Sequence, residues 1–334
     1  MKTSRKWRAE APSNIALIKY MGKTGAGPNR PTNSSLSYTL AHLKSLVELE
    51  EIPSGEDTWE PLKFDSEGRE LPPVELSEKG KTRFLAHLKR IKDEFGFEGS
   101  FIVRSANDFP SDCGLASSAS SFAALTKAAL KAICELKGRE LPSIEDAAEL
   151  SRKGSGSSCR SFFAPWAFWS ADGGVRAATE IKVQNLLHQV IAVDDKKKAV
   201  SSSDAHARVA TSLLFHGRPE RAEMRAKALI KSLGDELNWE EAFEITWAEF
   251  WDMHALFETS VPSFGYMTGA SLDVLDWVRN ALWRKTGDGP LVTMDAGPNI
   301  HLLYRNDSAG REAFRAVEKE FGSRFKIFSS ERVQ

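Results

Sequence analysis

The most constraining feature of the chain is a run of small residues that leads without a break into a long helical pattern. Pro110-Ser-Asp-Cys-Gly114-Leu115-Ala-Ser117-Ser118-Ala119 opens an Ala-rich stretch reaching Leu136, with Phe122, Leu125, Ala129, Ile133 and Leu136 on one stripe. A helix of that length with a single apolar stripe has to lie on a sheet or on other helices. Gly138 stands where a left-handed C-terminal cap belongs. At the start of the helix, about four backbone N–H groups are left unpaired beside the positive end of the dipole. Gly114 permits unusual backbone angles, and the serine hydroxyls add donors. The segment reads as a cradle for a polyphosphate. It reads otherwise as a Ser/Ala helix packed closely on a sheet. No Gly-Lys-Ser/Thr follows the glycine, and the chain contains no G-x-G-x-x-G, so neither a P-loop nor a dinucleotide fingerprint is present.

The remaining pattern mixes strands and helices in both halves of the chain. Residues 45–50 alternate as a half-buried strand, and 53–80, with four prolines and much charge, read as an exposed excursion. Phe84, Leu85, Leu88 and Ile91 share one helical face within 81–94, and Phe101-Ile-Val103 is a strand. Ser143 and Asp146 have capping-box spacing before a helix that ends near Arg152. Helical patterns cover 204–232, 239–257, 270–286 and 309–321, with strands expected at 291–294, 301–304 and 325–328. At roughly 100–200 residues per domain, 334 residues suggest two domains or one large α/β unit. The composition shift at 193–203 sets the division at 1–190 and 191–334.

Forty-five basic against 46 acidic residues give a net charge of −1, which argues against a general nucleic-acid binder. Three cysteines fit no zinc or redox spacing, and the N-terminus has no apolar leader, so a reducing cytoplasm is expected and no membrane association. Cys159, beside Arg160, is expected to be somewhat acidic if anything, and otherwise a bystander. The seven histidines show no metal spacing, and His254 reads as a packing or supporting polar residue.

Three further segments carry polar groups suited to chemistry. Arg152-Lys-Gly-Ser155-Gly156-Ser157-Ser-Cys-Arg160-Ser161 has the composition of a phosphate or carboxylate site, or of a flexible linker; the aromatic run from Phe162 to Trp169 ties it down. Ala11-Pro-Ser-Asn14-Ile-Ala-Leu-Ile-Lys19-Tyr20-Met21-Gly-Lys23 ends a short strand on polar tips, and alone reads equally as a surface hairpin. Asp295-Ala-Gly-Pro-Asn299 places a carboxylate directly after a strand, either as a turn cap or as a positioned base.

Taken in order, these segments resemble the GHMP kinase superfamily and, more narrowly, the mevalonate diphosphate decarboxylases. The family's A-P-x-N-I-A-x-I-K-Y-W-G-K and P-T-N-S-S-L-S patterns match residues 11–23 and 31–37. Its phosphate loop matches 109–119, its R-x-G-S-G-S-x-C-R-S matches 152–161, and its D-A-G-P-N matches 295–299. Met21 departs from the family's Trp and Asp108 from its usual Asn, while Ser203-Asp-Ala-His206 stands where the family moves towards Gly-Met.

The resemblance implies an α+β GHMP kinase fold, with an N-terminal ribosomal-protein-S5-like α/β domain, a C-terminal ferredoxin-like α+β domain and an active-site cleft between them. It implies ATP with Mg²⁺ as cofactors and decarboxylation of (R)-5-diphosphomevalonate to isopentenyl diphosphate, ADP, phosphate and CO₂. The alternatives are a related kinase or decarboxylase acting on mevalonate or its 5-phosphate, and a non-catalytic nucleotide-binding homologue. Asp295, Arg160 and Ser117 are the implied catalytic residues, and Gly114, Leu115, Ser117 and Ser118 the implied nucleotide contacts. Asn14, Tyr20, Lys23, Ser155, Gly156, Ser157, Arg160 and Ser202 would hold the substrate, and a homodimer is implied.

Overall fold

Two long antiparallel strands organise the first half of the computed structural model, which describes residues 4–25, 27–109, 117–194 and 199–331. Strand β1 (Lys6–Ile18) pairs with β2 (Ser35–Ile52) from Lys6↔Glu50 to Ile18↔Leu36, with irregularities at Pro12/Ser13 and Ala16/Ile18. Residues 6–11 of β1 alternate exposed and buried, whereas 13–18 are buried throughout. The strand therefore begins on a one-sided surface and ends inside the molecule, which replaces the surface-hairpin reading. The other edge of β2 is shared by β4 (Ser100–Asn107) and β5 (Trp166–Trp169). Strand β3 (Thr58–Pro61) adds to β4 in parallel, and β6 (Val175–Ala177) adds to β5.

Helices α1 (Glu78–Phe95), α2 (Ser117–Lys137) and α3 (Ile144–Gly154) cover one face of this sheet. The Ala-rich stripe of α2 is buried from Ala119 to Cys134, as small residues permit close approach to β1 and β2. Gly138 (φ +61°) ends the helix, and the Ser143 hydroxyl caps α3 by accepting from Asp146 N–H. The excursion at 53–80 is less exposed than its composition suggests. It contributes β3, and Leu62 and Val74 reach the core.

The chain passes to a second antiparallel sheet between β6 and β7 (Leu186–Ala192), a few residues ahead of the composition shift at 193–203. Its order is β10-β7-β9-β8, with β8 at Leu291–Met294, β9 at Ile300–Arg305 and β10 at Lys326–Ser329. Among the described residues, six helices accompany it. They are α4 (Ser202–Arg208), α5 (Arg218–Leu233), α6 (Trp239–Glu258), α7 (Gly269–Trp277), which runs through a wide turn into α8 (Arg284–Thr286), and α9 (Ser308–Phe321). The single helix expected over 204–232 is divided. Ser212 caps a short turn by accepting from Leu214 N–H, and Pro219, lacking a donor, fits only the first turn of α5.

One apolar core crosses from the first sheet to the second. Ile15, Leu17 and Leu36 pack in the same cluster as Val190, Phe243, Phe250 and Leu302. A separate cluster lies beneath α1–α3, and a third joins Met21 to Ala205, Met253, Phe257 and Ala296.

Candidate active site

The end of β1, the tight turn over Gly156–Phe162, the starts of α2 and α4, and the turn after β8 surround one cavity of about 250 Å³. Asp295 follows β8 directly. The pairing of Met294 with Ile300 fixes the strand end, and Gly297 N–H donates to the Asp295 carbonyl at 2.8 Å to close the turn. That carbonyl also accepts from His254 Nε2 at 3.2 Å, so this buried histidine of α6 supports the turn. Burial lowers the His254 pKa to about 3, which keeps the ring neutral and the Nε2 proton in place.

Lys19, one residue beyond β1, donates from Nζ to Asp295 Oδ1 at 2.7 Å. Its side chain is 2% exposed, whereas that of Asp295 is 34% exposed and opens to the cavity. The Lys19 backbone is held at both ends: its N–H donates to Glu249 Oε1 at 2.9 Å, and its carbonyl accepts from Asn33 Nδ2 at 2.9 Å. Burial pulls the ammonium pKa down against the opposing pull of Asp295. For Asp295, burial pushes upward, but the charges of Lys19, His301 and Arg160 and the Lys19 hydrogen bond outweigh it and hold the carboxyl below its usual range. The geometry supports the positioned carboxylate over a mere turn cap.

Arg160 is 4% exposed and donates to Ser35 Oγ at 2.8 Å and Asn14 Oδ1 at 3.2 Å. No described carboxylate lies within ion-pairing distance of it. A buried guanidinium with only neutral partners is an open place for an anion. Asn14 Nδ2 in turn donates to Ser161 Oγ (2.8 Å) and to the Ser157 carbonyl (3.2 Å). The Ser151 and Ser158 hydroxyls bond each other at 2.7 Å, so this Gly/Ser segment is a packed turn rather than a linker. Gly156 is required there, because a Cβ would stand 2.6 Å from the Tyr20 ring. Burial drives the Cys159 thiol up to about 12, the opposite of the acidity expected beside Arg160, and Sγ donates to the Gly156 carbonyl.

Every described residue expected at the site lines this cavity. Asn14, Tyr20, Lys23, Ser117 and Ser118 form one part, and Ser155, Gly156, Ser157, Arg160, Ser202 and Asp295 the rest. Gly114 and Leu115 lie outside the described residues. The sequence reading missed Lys19 as the partner of Asp295, and also Arg83 and His206. Lys19 had a signal in its place at the polar end of an apolar run. Arg83 had none, since an arginine on the polar face of α1 looks like any solvated residue. Lys19, Lys23, Arg83 and Arg160 thus face the single described carboxylate of the lining, a balance suited to a polyanion. Among the described residues no group of three or more His, Cys, Asp or Glu is placed to hold a metal.

Known proteins share this arrangement of sequence and fold. The Diphosphomevalonate decarboxylase-like N-terminal domain matches residues 11–180, and the Mevalonate 5-diphosphate decarboxylase C-terminal domain matches 189–332. Diphosphomevalonate decarboxylase of Saccharomyces cerevisiae is 34% identical over 94% of this chain and 81% of its own length. A mevalonate diphosphate decarboxylase from Legionella pneumophila superposes with a TM-score of 0.88 at 46% identity, covering 97% of this chain and all of that one. MDDEF in complex with MVAPP, AMPPCP and magnesium gives 0.81 at 28% identity, covering 99% and 100%. With both halves matched by the two domains of one enzyme, the chain belongs to the diphosphomevalonate decarboxylase family.

Proposed function

We propose that the cavity carries out the family's reaction, ATP-dependent decarboxylation of (R)-5-diphosphomevalonate to isopentenyl diphosphate, within isoprenoid synthesis by the mevalonate pathway. The observation that carries this reading is the Lys19–Asp295 pair opening to the same cavity as an arginine without an acidic partner among the described residues. Asp295, ionised and held by Lys19, accepts a hydrogen bond from the 3-hydroxyl of the substrate. It takes the hydroxyl proton as the oxygen bonds to the γ-phosphorus and ADP leaves. Lys19 keeps the carboxylate aimed and stabilises its charge before the transfer.

Ser117 and Ser118, at the first turn of α2, donate to the phosphoryl oxygens in flight. The 3-phosphate then departs with its bonding pair. The electrons of the bond to the carboxylate become the new double bond, and CO₂ leaves. Arg160, with Asn14 bracing its guanidinium, orients that carboxylate. Tyr20, Lys23, Ser155, Gly156, Ser157 and Ser202 hold the diphosphate end.

The described residues fit magnesium borne on the nucleotide rather than a protein cage, because one carboxylate lines the cavity. When bound, the ion neutralises the triphosphate. We read residues to about 190 as the nucleotide-handling unit, the remainder as the unit bearing Asp295, and the working form as a cytoplasmic homodimer. No helix among the described residues is long and apolar enough to cross a membrane.

The test is product analysis of purified protein supplied with ATP and mevalonate, its 5-phosphate or its 5-diphosphate. CO₂ and ADP in equal amounts from the diphosphate alone are expected. ADP with a stable 3-phosphate would make the chain a kinase, and no ADP from any of the three would remove catalysis.

A further inference from the structure

His206 closes the cavity on the side of α4, and its ring is fixed by two contacts, one at Nδ1 and one on its face. The backbone N–H of Gly22 donates to His206 Nδ1 at 3.1 Å. Because an amide N–H can only donate, Nδ1 carries the lone pair and Nε2 the proton. The amide itself is rigidly placed. Gly22 has φ +98°, and a Cβ there would stand 2.6–2.8 Å from the Phe215 ring and Thr32 Oγ1. Thr32 Oγ1 in turn donates to the Met21 carbonyl at 3.1 Å. On its face, the imidazole lies 4.3 Å from the Tyr20 ring, whose centroid is 4.7 Å from that of Trp169. Tyr20 uses its own hydroxyl proton on the Asn29 carbonyl, at 3.2 Å.

The ring lines the cavity together with Lys23, Ser202, Ser203 and Arg160, and Nε2 has no partner among the described residues. We propose that His206 is a substrate-binding residue whose neutral Nε2–H donates to an oxygen of the substrate's diphosphate, its tautomer being set by the Gly22 amide. This rests on the diphosphate lying at the Tyr20–Lys23 end of the cavity. A neutral donor suits the place. Lys23 already supplies charge there, and burial, with the charges of Lys23 and Arg160, pulls the His206 pKa to about 3, so the ring gives a directed hydrogen bond without adding a cation. Protonation would put a hydrogen on Nδ1 against the Gly22 N–H, so the same contact that fixes the tautomer also opposes the charged form.

Three substitutions separate the donor from the ring. Phe keeps the stacking on Tyr20 and loses both nitrogens. Asn keeps an acceptor for Gly22 but is too short to reach the cavity. Gln places an amide nitrogen near the position of Nε2. The experiment measures the KM of each variant for 5-diphosphomevalonate and for ATP beside kcat, with melting temperature as a check on folding. A hydrogen bond to a charged group lost from the ground state predicts that His206→Phe and His206→Asn raise the substrate KM about 10- to 100-fold. The ATP KM should move far less and kcat should fall less than KM rises, while His206→Gln recovers most of the lost affinity. A His206→Phe enzyme with the wild-type substrate KM overturns the proposal, and so does a His206→Gln enzyme as weak as the Phe variant. A wild-type protein that turns over mevalonate but neither binds nor turns over its 5-diphosphate overturns the reading of the substrate as well.

Discussion

Around Arg218, five charged side chains of α5 and α6 close on one another, while a few residues away Lys19 and Asp295 form a pair that stays open on one side. In the closed cluster Arg218 and Glu249 are wholly buried and paired. Asp252 binds Arg221 at 2.7 Å and Arg225 at 2.6 Å, and Arg225 reaches Glu249 at 3.0 Å. In the open pair one carboxylate oxygen meets Lys19 and the side chain still faces the cavity. Both set cations against carboxylates, and the difference that matters is what each carboxylate has left to bind. A cluster whose carboxylates are all taken up by arginines contributes order, whereas a pair with a free side can act on a ligand. Glu249 joins the two, since its Oε1 also accepts the Lys19 N–H. The closed cluster thereby sets the backbone from which the open pair works.

The comparison is broken most directly at Asp295. Asp295→Asn keeps the shape and loses the base, so kcat should fall by about 10²–10⁴ with nucleotide and substrate still bound and the melting temperature near wild type. A destabilised but fully active variant would return Asp295 to the closed class. Glu249→Ala should do the reverse and cost about 3–5 kcal/mol in denaturant unfolding, because the buried Arg218 loses the carboxylate that meets both of its terminal nitrogens. Its folded fraction should keep far more turnover than the Asp295 variant does, and unchanged stability would sink the distinction.

Arg160→Gln should cost about 2–5 kcal/mol of interaction with the substrate carboxylate, appearing in KM as well as kcat. Unaltered kinetics with a lowered melting point would make the arginine structural. Ser117→Ala is expected to reduce kcat by about 10²–10³ while ligand affinity changes less, and calorimetry beside turnover tells the two apart.

The most gradual effect is one of pH. His87 and His254 have folded pKa values of about 3 against an ordinary 6.5, and His188 is also well below it, because burial penalises the charged ring. Only the unfolded chain takes up these protons. Stability is therefore full above about 6.5 and declines towards pH 3, by up to about 1.4 kcal/mol per pH unit for each ring. Asp252, held at about 2 by its arginines against burial, gives up its contribution only below about 4. Unfolding measured from pH 7 to pH 3 should show the histidine slope first. A flat profile down to pH 4 would place these rings in a more solvated setting.

Periodicity made α1, α2, α6 and α9 readable, and β8 was readable as a short apolar run between turn signals. The lengths of β1 and β2 were not readable, because burial on both faces near Ile15–Ile18 and Leu36–Leu40 erases alternation there. The division of 204–232 was missed because three local stops, at Ser212, Gly217 and Pro219, interrupt a pattern that still has helical spacing. At the site, Asp295 and Arg160 were legible as polar residues in small-residue turns. The pairing of Lys19 with Asp295 was not, since 276 positions separate them and only the crossing core brings them together. Met21 and the 203–206 segment, noted as separate departures from the family pattern, meet in space. Met21 packs with Ala205, and the next residue, Gly22, holds His206.

The shared core has a consequence for the order of events during synthesis. Ile15, Leu17 and Leu36 leave the ribosome early, yet the side chains they pack against on α6, β8 and β9 belong to the last hundred residues or so of the chain. The N-terminal sheet can begin to pair through β1 and β2, but the ends of those strands near Lys19 must wait, apolar and uncovered, until almost the whole polypeptide has been made. Translation that stalls after β7 would release a chain with Ser117, Ser118, Ser155 and Ser157 in place and its inner strand ends bare. Such a fragment would be a client for chaperones, and no ATP would be spent by a half-built enzyme, because Asp295 arrives with the segment that covers those strands.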